Sequence, residues 1–263
     1  MSKRLLESVA VLGLGEAGAT FATGLVARRV RVTGYDPDPA RLAEGVVRAG
    51  TPAAAVAGAD AVLSLNAQSV AVSVAEEAAG ALAPGQLFAD LNTASAEVKR
   101  RVAAAVAASG ASFADVALLG PVPQRGIETP CLASGDGAAR FAELFGPLGT
   151  PVETVGTEPG AASTRKLLRS IFMKGLAAAV IESLDAAAAA GCEPWLRADI
   201  AATLTSADAA LVERLVEGSR AHAVRRVGEM EAAAALEREL GVEPRVAEAA
   251  AELLRTLATR PRD

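Results

Sequence analysis

Gly13, Gly15 and Gly18 stand in the run Ser8-Val-Ala-Val-Leu-Gly-Leu-Gly-Glu-Ala-Gly18, where a short apolar strand pattern passes straight into a G-x-G-x-x-G turn. In such a turn the first glycine allows a tight bend and the second lets the backbone approach a pyrophosphate. The third lets the following helix pack close to the strand. Free N–H groups at the helix start then face an anion, so Leu14, Glu16 and Ala17 join the glycines as candidate phosphate contacts. Glycines at this spacing are weak evidence alone. Here an Ala-rich helix over Ala17–Arg28 follows, and an acid closes the next strand, Val30-Arg-Val-Thr-Gly-Tyr-Asp36. Asp36 lies about eighteen residues beyond Gly18, where a carboxylate accepts hydrogen bonds from an adenosine ribose 2′-OH. A 2′-phosphate would meet like charge there, and Arg41, one helical turn on, is the nearest cation. The chain therefore reads as binding NAD in preference to NADP, with NADP left open. Glu16 is expected to point to solvent, favoured by the helix dipole. Asp38, ahead of Pro39, reads as a helix N-cap.

A second group with chemical potential lies far downstream. On a helix over Ala161–Gly191, at 100° per residue, Ser163, Lys166, Ser170 and Lys174 fall within about an 80° arc. They make a polar stripe among Ala, Leu, Ile, Phe and Met. A lysine facing a cleft there loses hydration, and its pKa falls toward the range useful for proton transfer. On spacing alone, Lys166 and Lys174 equally fit side chains that snorkel from a packed helix to the surface. His222, the sole histidine, sits near Arg220, Arg225 and Arg226, and such a residue is more often exposed or satisfied in packing than functional. Trp195, at a helix start, reads as a packing anchor.

These residues need elements to position them. From residue 8 to about 155, strand patterns (Val9–Leu12, Val30–Tyr35, Ala61–Leu65, Leu87–Leu91, Ser112–Leu118, Cys131–Ser134 and one near Val152–Val155) alternate with helical ones. The helical stretches include Pro39–Ala49, Val70–Ala81, Ala94–Ser109 and Ala138–Phe145. That alternation implies an α/β fold, a Rossmann-type mostly parallel sheet covered on both faces, with ligands at the carboxyl ends of its strands. After Gly160 only helices follow: one of about 30 residues, roughly 45 Å long, then Pro194–Leu204, Ser206–Glu217, Ser219–Leu240 and Pro244–Thr259. The expected division is residues 1–157 for the dinucleotide and an all-helical C-terminal domain over residues 158–263. So apolar a long helix needs partners, which predicts a homodimer.

Composition narrows the function classes. Half the residues (51%) are apolar but only 3% are aromatic, so the core must be built from Ala, Val and Leu. A net charge of −5 without a Lys/Arg block argues against nucleic acid. Cys131 and Cys192 are isolated, so neither a metal nor a disulfide scaffold is expected. Lys3 and Arg4 precede apolar residues as a leader would, but Glu7 and Glu16 interrupt the stretch. Lys174, Glu182 and Asp185 likewise break the most membrane-like run, Ile171–Gly191. A cytoplasmic protein with a small-molecule substrate and no membrane partner is the expectation.

Three segments together resemble the β-hydroxyacid dehydrogenases, which include 6-phosphogluconate and 3-hydroxyisobutyrate dehydrogenases. They are the strand and glycine turn ending at Gly18, Asp90-Leu-Asn-Thr-Ala-Ser95, and Gly160-Ala-Ala-Ser-Thr-Arg-Lys166. Asp115-Val-Ala-Leu-Leu-Gly-Pro-Val-Pro, Met173-Lys174-Gly175 and Val227-Gly-Glu-Met-Glu231 resemble a subgroup with a short helical C-terminal domain of the type labelled DUF1932. The resemblance implies an NAD(P)-dependent dehydrogenase in which Lys166 is the general acid and base. It also implies that Leu65, Asn66 and Ala67 lie along the ribose and nicotinamide, with Asn92 and Thr93 on the nicotinamide side. Ser163 and Ser170 would hold the lysine.

Three departures bear on substrate. Leu119-Gly120-Pro121 replaces a family segment whose serine grips a carboxylate, Ser170 replaces an asparagine, and Glu229-Met230-Glu231 replaces a Lys-Asp-Leu triplet. They imply a less acidic or more apolar substrate, with Lys174 available for an anion and His222 for the substrate if the C-terminal domain covers the cleft. Two rivals stay open. One is an imine reductase-like enzyme, in which an aspartate or tyrosine generally stands where Lys166 does. The other is a non-catalytic NAD(H)-binding module.

Overall fold

A computed structural model describes residues 6–260; Lys3 and Arg4 lie outside them. The chain forms two compact units that part at Arg169 and Ser170. The first holds an eight-stranded sheet of order β3-β2-β1-β4-β5-β6-β7-β8. Its strands are β1 Ser8–Leu12, β2 Arg31–Tyr35, β3 Val47–Arg48, β4 Ala61–Ser64, β5 Leu87–Asp90, β6 Ser112–Leu118, β7 Cys131–Ser134 and β8 Val152–Thr154. Strands β1 to β6 run parallel, β7 turns antiparallel to β6, and β8 follows β7 in parallel.

Helices α1 Glu16–Ala27, α2 Pro52–Val56, α3 Ala71–Ala79, α4 Ala96–Ala107, α5 Val122–Arg125 and α6 Ala138–Phe145 connect these strands. The inner strands β1, β4, β5, β6 and β7 read as near-continuous apolar runs because both faces are covered. Val9 and Val11 turn to one core with Phe21 and Leu25 of α1 and Phe141 and Phe145 of α6. Ala10 and Leu12 turn to the other, with Ala71, Ala75 and Ala78 of α3 and Val102 and Val106 of α4. Ser95 Oγ caps α4 by accepting from the Val98 N–H, and Thr51 does the same for α2 from Ala54.

The helix expected over Pro39–Ala49 does not form. Asp38 Oδ1 accepts from the Ala40 N–H at 2.9 Å, an Asx turn rather than a helix cap. Arg48 donates to the carbonyls of Asp36, Arg41 and Asp38 at 2.6, 2.9 and 3.2 Å, occupying acceptors a helix would use itself. Gly45 at φ +74° then turns the chain into β3.

The second unit carries most of α7 Ala161–Ala189, followed by α8 Glu193–Thr205, α9 Ala209–Ala221, α10 Ala223–Glu239 and α11 Arg245–Thr259. The single helix expected over Ser219–Leu240 is broken at His222, whose φ of −119° and ψ of 24° leave the helical region. Arg226 spans the break by donating to Ser219 Oγ at 2.6 Å. Ala223, Ala234, Ala247, Ala251 and Leu254 are buried, so alanines bring the helix backbones close. Among the described residues no helix is long and apolar enough to cross a membrane.

Glu182 of α7 takes the place of an N-cap for α11: its carboxylate accepts from the Val246 and Ala247 N–H groups at 2.8 and 2.9 Å. Glu237 is buried nearby, with no hydrogen-bond partner for Oε2 among the described residues. Burial, and then the Glu182 charge, push its carboxyl above the usual carboxylate range. A raised folded-state pKa means the folded protein binds the proton more tightly than the unfolded chain. The ionised group is therefore destabilising above that pKa and harmless below the unfolded value. Glu237→Gln is expected to stabilise the protein by about 1 kcal/mol at pH 7, the order of an unsatisfied buried group, with little difference at pH 4. Thermal melts at the two pH values check this.

Candidate functional site

The glycine turn sits where the strand order reverses, between β1 and β4, the position at which open parallel sheets leave a crevice. Gly13 has φ +103°, and a Cβ there would lie 2.3 Å from the Leu65 carbonyl oxygen. A Cβ on Gly18 would lie 1.8 Å from the Gly13 oxygen. These two glycines are therefore required by backbone contacts within the turn. Gly15 differs: a Cβ there would meet only the Arg41 guanidinium, at 2.8 Å, the far end of a flexible side chain. Gly15 is also the N-cap of α1 and offers no side-chain cap, which leaves the first helical N–H groups to an anion. Leu14 is buried, Ala17 partly buried and Glu16 exposed.

Asp36 directly follows β2 and is only 6% exposed. Its Oδ2 accepts from the Leu14 N–H at 2.8 Å and its Oδ1 from the Asp38 N–H at 3.0 Å, so the carboxylate stitches β2 to the glycine turn. Each oxygen keeps a second lone pair for a hydroxyl. Arg41 lies on the irregular loop, against Gly15 and 3.6 Å from Asp38, rather than on a helical turn.

At the ends of β4 and β5, Asn92 Nδ2 reaches Asp90 Oδ1, Asn66 Oδ1 and Ser64 Oγ at 2.6, 3.1 and 3.2 Å. Asn66 Nδ2 in turn donates to Ser64 Oγ at 2.9 Å. Among the described residues Asn92 Oδ1 is buried and has no hydrogen-bond partner, an acceptor left over at the mouth of the crevice. Leu65 and Asn66 are partly buried, and Ala67 is exposed. A glycine cradle, uncapped helix amides, a carboxylate at the second strand and an orphan amide oxygen together fit a nicotinamide dinucleotide.

Lys166, in the second turn of α7, is partly buried, and its Nζ donates to Thr93 Oγ1 at 2.7 Å. The polar stripe divides here. Ser163 does not flank the lysine in a cleft: it is 2% exposed, its Oγ donates to Asp115 Oδ1 at 2.7 Å, and its N–H goes to Asp115 Oδ2 at 3.0 Å. A buried carboxylate on β6 outcompetes the cleft for that hydroxyl. Leu119 and Gly120 are partly buried at the end of β6, and Pro121 is exposed at the start of α5. In the second unit, Ser170 is partly buried, while Lys174 and His222 are exposed.

Sequence reasoning missed Lys99. It has no exposed surface, and its Nζ lies 3.1 Å from Asp90 Oδ2 and 3.2 Å from Asp115 Oδ1. A signal was present, because Lys99, Val102 and Val106 share the spacing of one helix face and the other two are core residues.

The family described as the NAD-binding domain of 6-phosphogluconate dehydrogenase matches residues 8–155, and the domain of unknown function DUF1932 matches residues 187–257. An uncharacterized 28.5 kDa protein of Methanothermus fervidus is 28% identical over 144 residues, 55% of each chain, so the match spans about half the length of that curated relative. A conserved hypothetical protein of Sinorhizobium meliloti is 33% identical over 96% of this chain and 89% of its own, with TM-score 0.64. A conserved protein described as structurally similar to 3-hydroxyacid dehydrogenases is 26% identical, covering 95% of this chain and 98% of its own, with TM-score 0.63. An imine reductase of Streptomyces aurantiacus shares the fold, with TM-score 0.80 and 22% identity over 95% of this chain and 94% of its own.

The turn geometry has a direct consequence. Gly18→Ala forces the helix off the strand, because backbone carbonyl rather than side chain blocks the new methyl group. It is expected to cost about 3 kcal/mol or more in denaturant unfolding and to abolish NADH binding. Gly15→Ala, which meets only Arg41, is expected to keep the fold in the same melts.

Proposed function

The chain belongs to the family defined by the NAD-binding domain of 6-phosphogluconate dehydrogenase, and from that premise we propose that it is an NAD(P)-dependent oxidoreductase with Lys166 as general acid and base. Its substrate is a small hydroxylated molecule. The observation that carries this reading is the Lys166 Nζ, held 2.7 Å from Thr93 Oγ1 beside the end of β5. When bound, the dinucleotide supplies the hydride acceptor, or the donor in the reverse direction. Lys166 as the neutral amine takes the hydroxyl proton while the carbon–hydrogen bond of the same carbon breaks; as the ammonium it returns that proton to the alkoxide. The Thr93 hydroxyl oxygen can accept from either form, so the lysine stays in place through both.

In this reading residues 1–157 hold the dinucleotide and residues 158–263 serve substrate binding and assembly. Gly13 to Gly18 contact the pyrophosphate, Asp36 the adenosine ribose, and Leu65, Asn66, Ala67, Asn92 and Thr93 the nicotinamide half. Leu119, Gly120 and Pro121 contact substrate. Ser163 serves the helix, because Asp115 holds its hydroxyl.

Leu168, Ile171, Phe172 and Ile181 on α7 are 61%, 72%, 64% and 60% exposed. A second copy covering them makes the working form a homodimer, and the protein is placed in the cytoplasm. Sedimentation equilibrium is expected to give twice the 26.5 kDa chain mass; the chain mass alone would remove the dimer.

Fluorescence titration is expected to show tighter binding of NADH than of NADPH, and the reverse order would show that Asp36 does not select the cofactor. On a panel of hydroxy acids, sugar acids and imines, Lys166→Met is expected to lower kcat for alcohol oxidation by about 10²–10⁴-fold, the range for losing a general acid–base group. NADH affinity should stay within about threefold, since a lost acid–base group is read in kcat rather than in binding. Near-normal turnover in the variant removes the lysine from the mechanism. Turnover of imines alone favours the reductase, and binding without any turnover favours a sensing module.

A further inference from the structure

Lys99 is an ammonium sealed in the core between two strands. Asp90 and Asp115 sit opposite each other in the β5–β6 register, and both are 0% exposed. Lys99 Nζ donates to the Asp90 carbonyl at 2.8 Å and is within ion-pair distance of both carboxylates. A buried ion cluster of this kind is seldom more stable than apolar side chains of the same volume. What it supplies is direction, because Asp90 Oδ1 and both Asp115 oxygens accept from particular donors, while Asp90 Oδ2 lies 3.1 Å from the Lys99 nitrogen.

The donors lead to two places. Asp90 Oδ1 accepts from the Asn92 N–H and Asn92 Nδ2 at 3.1 and 2.6 Å, fixing the turn in which Thr93 is the next residue. Asp115 accepts from the Ser163 hydroxyl and N–H, and from Ser134 Oγ, which itself accepts from the Ala162 N–H at 3.0 Å. That arm fixes the first turn of α7, and Lys166 follows Ser163 by about one turn. Thr93 and Lys166, the two ends of the 2.7 Å contact, are thus each one residue or one turn from a group tied to the same buried nitrogen.

We propose that Lys99 is a positioning residue: through Asp90 and Asp115 it sets the register between the Asn92–Thr93 turn and the start of α7, and so holds Lys166 on Thr93. The function assigned to Lys166 rests on the reading above, but the contact itself does not, so the two can fail separately. Burial raises the Asp90 carboxyl, with the Lys99 charge pulling it back, in keeping with a cluster in which one cation answers two acids.

The chain has only four lysines, at positions 3, 99, 166 and 174. Lysine labelled with ¹³C and ¹⁵N therefore gives four side-chain signals, and Lys166→Met identifies the one that matters. Thr93→Ala marks where that signal moves when the contact is cut. Lys99→Met strands two carboxylates, so the charge-balanced pair Lys99→Met with Asp90→Asn is made beside it. Both are expected to shift the Lys166 signal to the Thr93→Ala position in the full chain without cofactor. Where the wild type turns over, kcat should fall about a hundredfold, the scale of a misplacement near 1 Å, with NADH affinity unchanged. A Lys166 signal that stays at its wild-type position in the balanced pair overturns the proposal. So does loss of fold in both variants, because Lys99 then serves the core and not the contact. A shifted signal in a protein with no turnover upholds the positioning role and counts against the enzymatic reading alone.

Discussion

A parallel sheet with helices on both faces has nowhere to put polar chemistry except at the ends of its strands. In this protein β4 and β5 are buried along their whole length, and β1 and β6 at every residue but the first. Each neighbouring pair runs in the same direction, so their carboxyl ends gather on one edge. Gly13, Leu65, Asn92 and Leu119 lie on that edge because each is the first or second residue beyond its strand. The crevice opens between β1 and β4, where the connections diverge to opposite faces. Every group assigned to the dinucleotide follows from that geometry, and the close approach of Gly13 to Leu65 keeps the edge narrow.

The same constraint explains why the charged cluster is costly and why it is informative. Asp90 and Asp115 belong to the neighbouring interior strands β5 and β6, and their side chains are fully buried. A fold stabilised by burial alone has no need of an ammonium there. Hydrogen bonds to both carboxylates extend along the sheet edge, to Asn92 on one side and to Ser163 on the other. The buried cluster thus reaches, through these bonds, the residue before Thr93 and the first turn of the helix that carries Lys166.

The second unit solves a different problem with few large side chains. Alanines at Ala223, Ala234, Ala247 and Ala251 let helices approach closely, so contact area comes from backbone proximity rather than aromatic bulk. The start of α11 is capped from another helix by Glu182, a device needed because Pro244 at the N-cap position has no side-chain acceptor. The large apolar residues of α7 meanwhile stay outside, which fits assembly with a further copy.

Local chemistry was legible without coordinates. The strand, glycine turn and helix at residues 8–27, the strands at Ser112–Leu118 and Cys131–Ser134, helix Ala138–Phe145 and the long helix from Ala161 all follow from a periodicity of two or 3.6 residues and from glycine at bends. Spacing within the first strand, turn, helix and second strand marked the glycine turn and Asp36 as candidates, whereas Leu65, Asn66, Ala67, Asn92 and Thr93 were candidates only through the family resemblance. Only the tertiary structure decided what depends on partners distant in sequence. Arg48 claims the carbonyls of residues 36–41 and replaces a helix with a loop. Asp115, 48 residues away, claims Ser163 and turns it from the cleft. Lys99 hides on a helix face that the spacing marked as core while its charge suggested solvent. A helical wheel gives the angle of a side chain about its own axis, but not the charge waiting on the neighbouring element, and that charge determines where a polar group can rest.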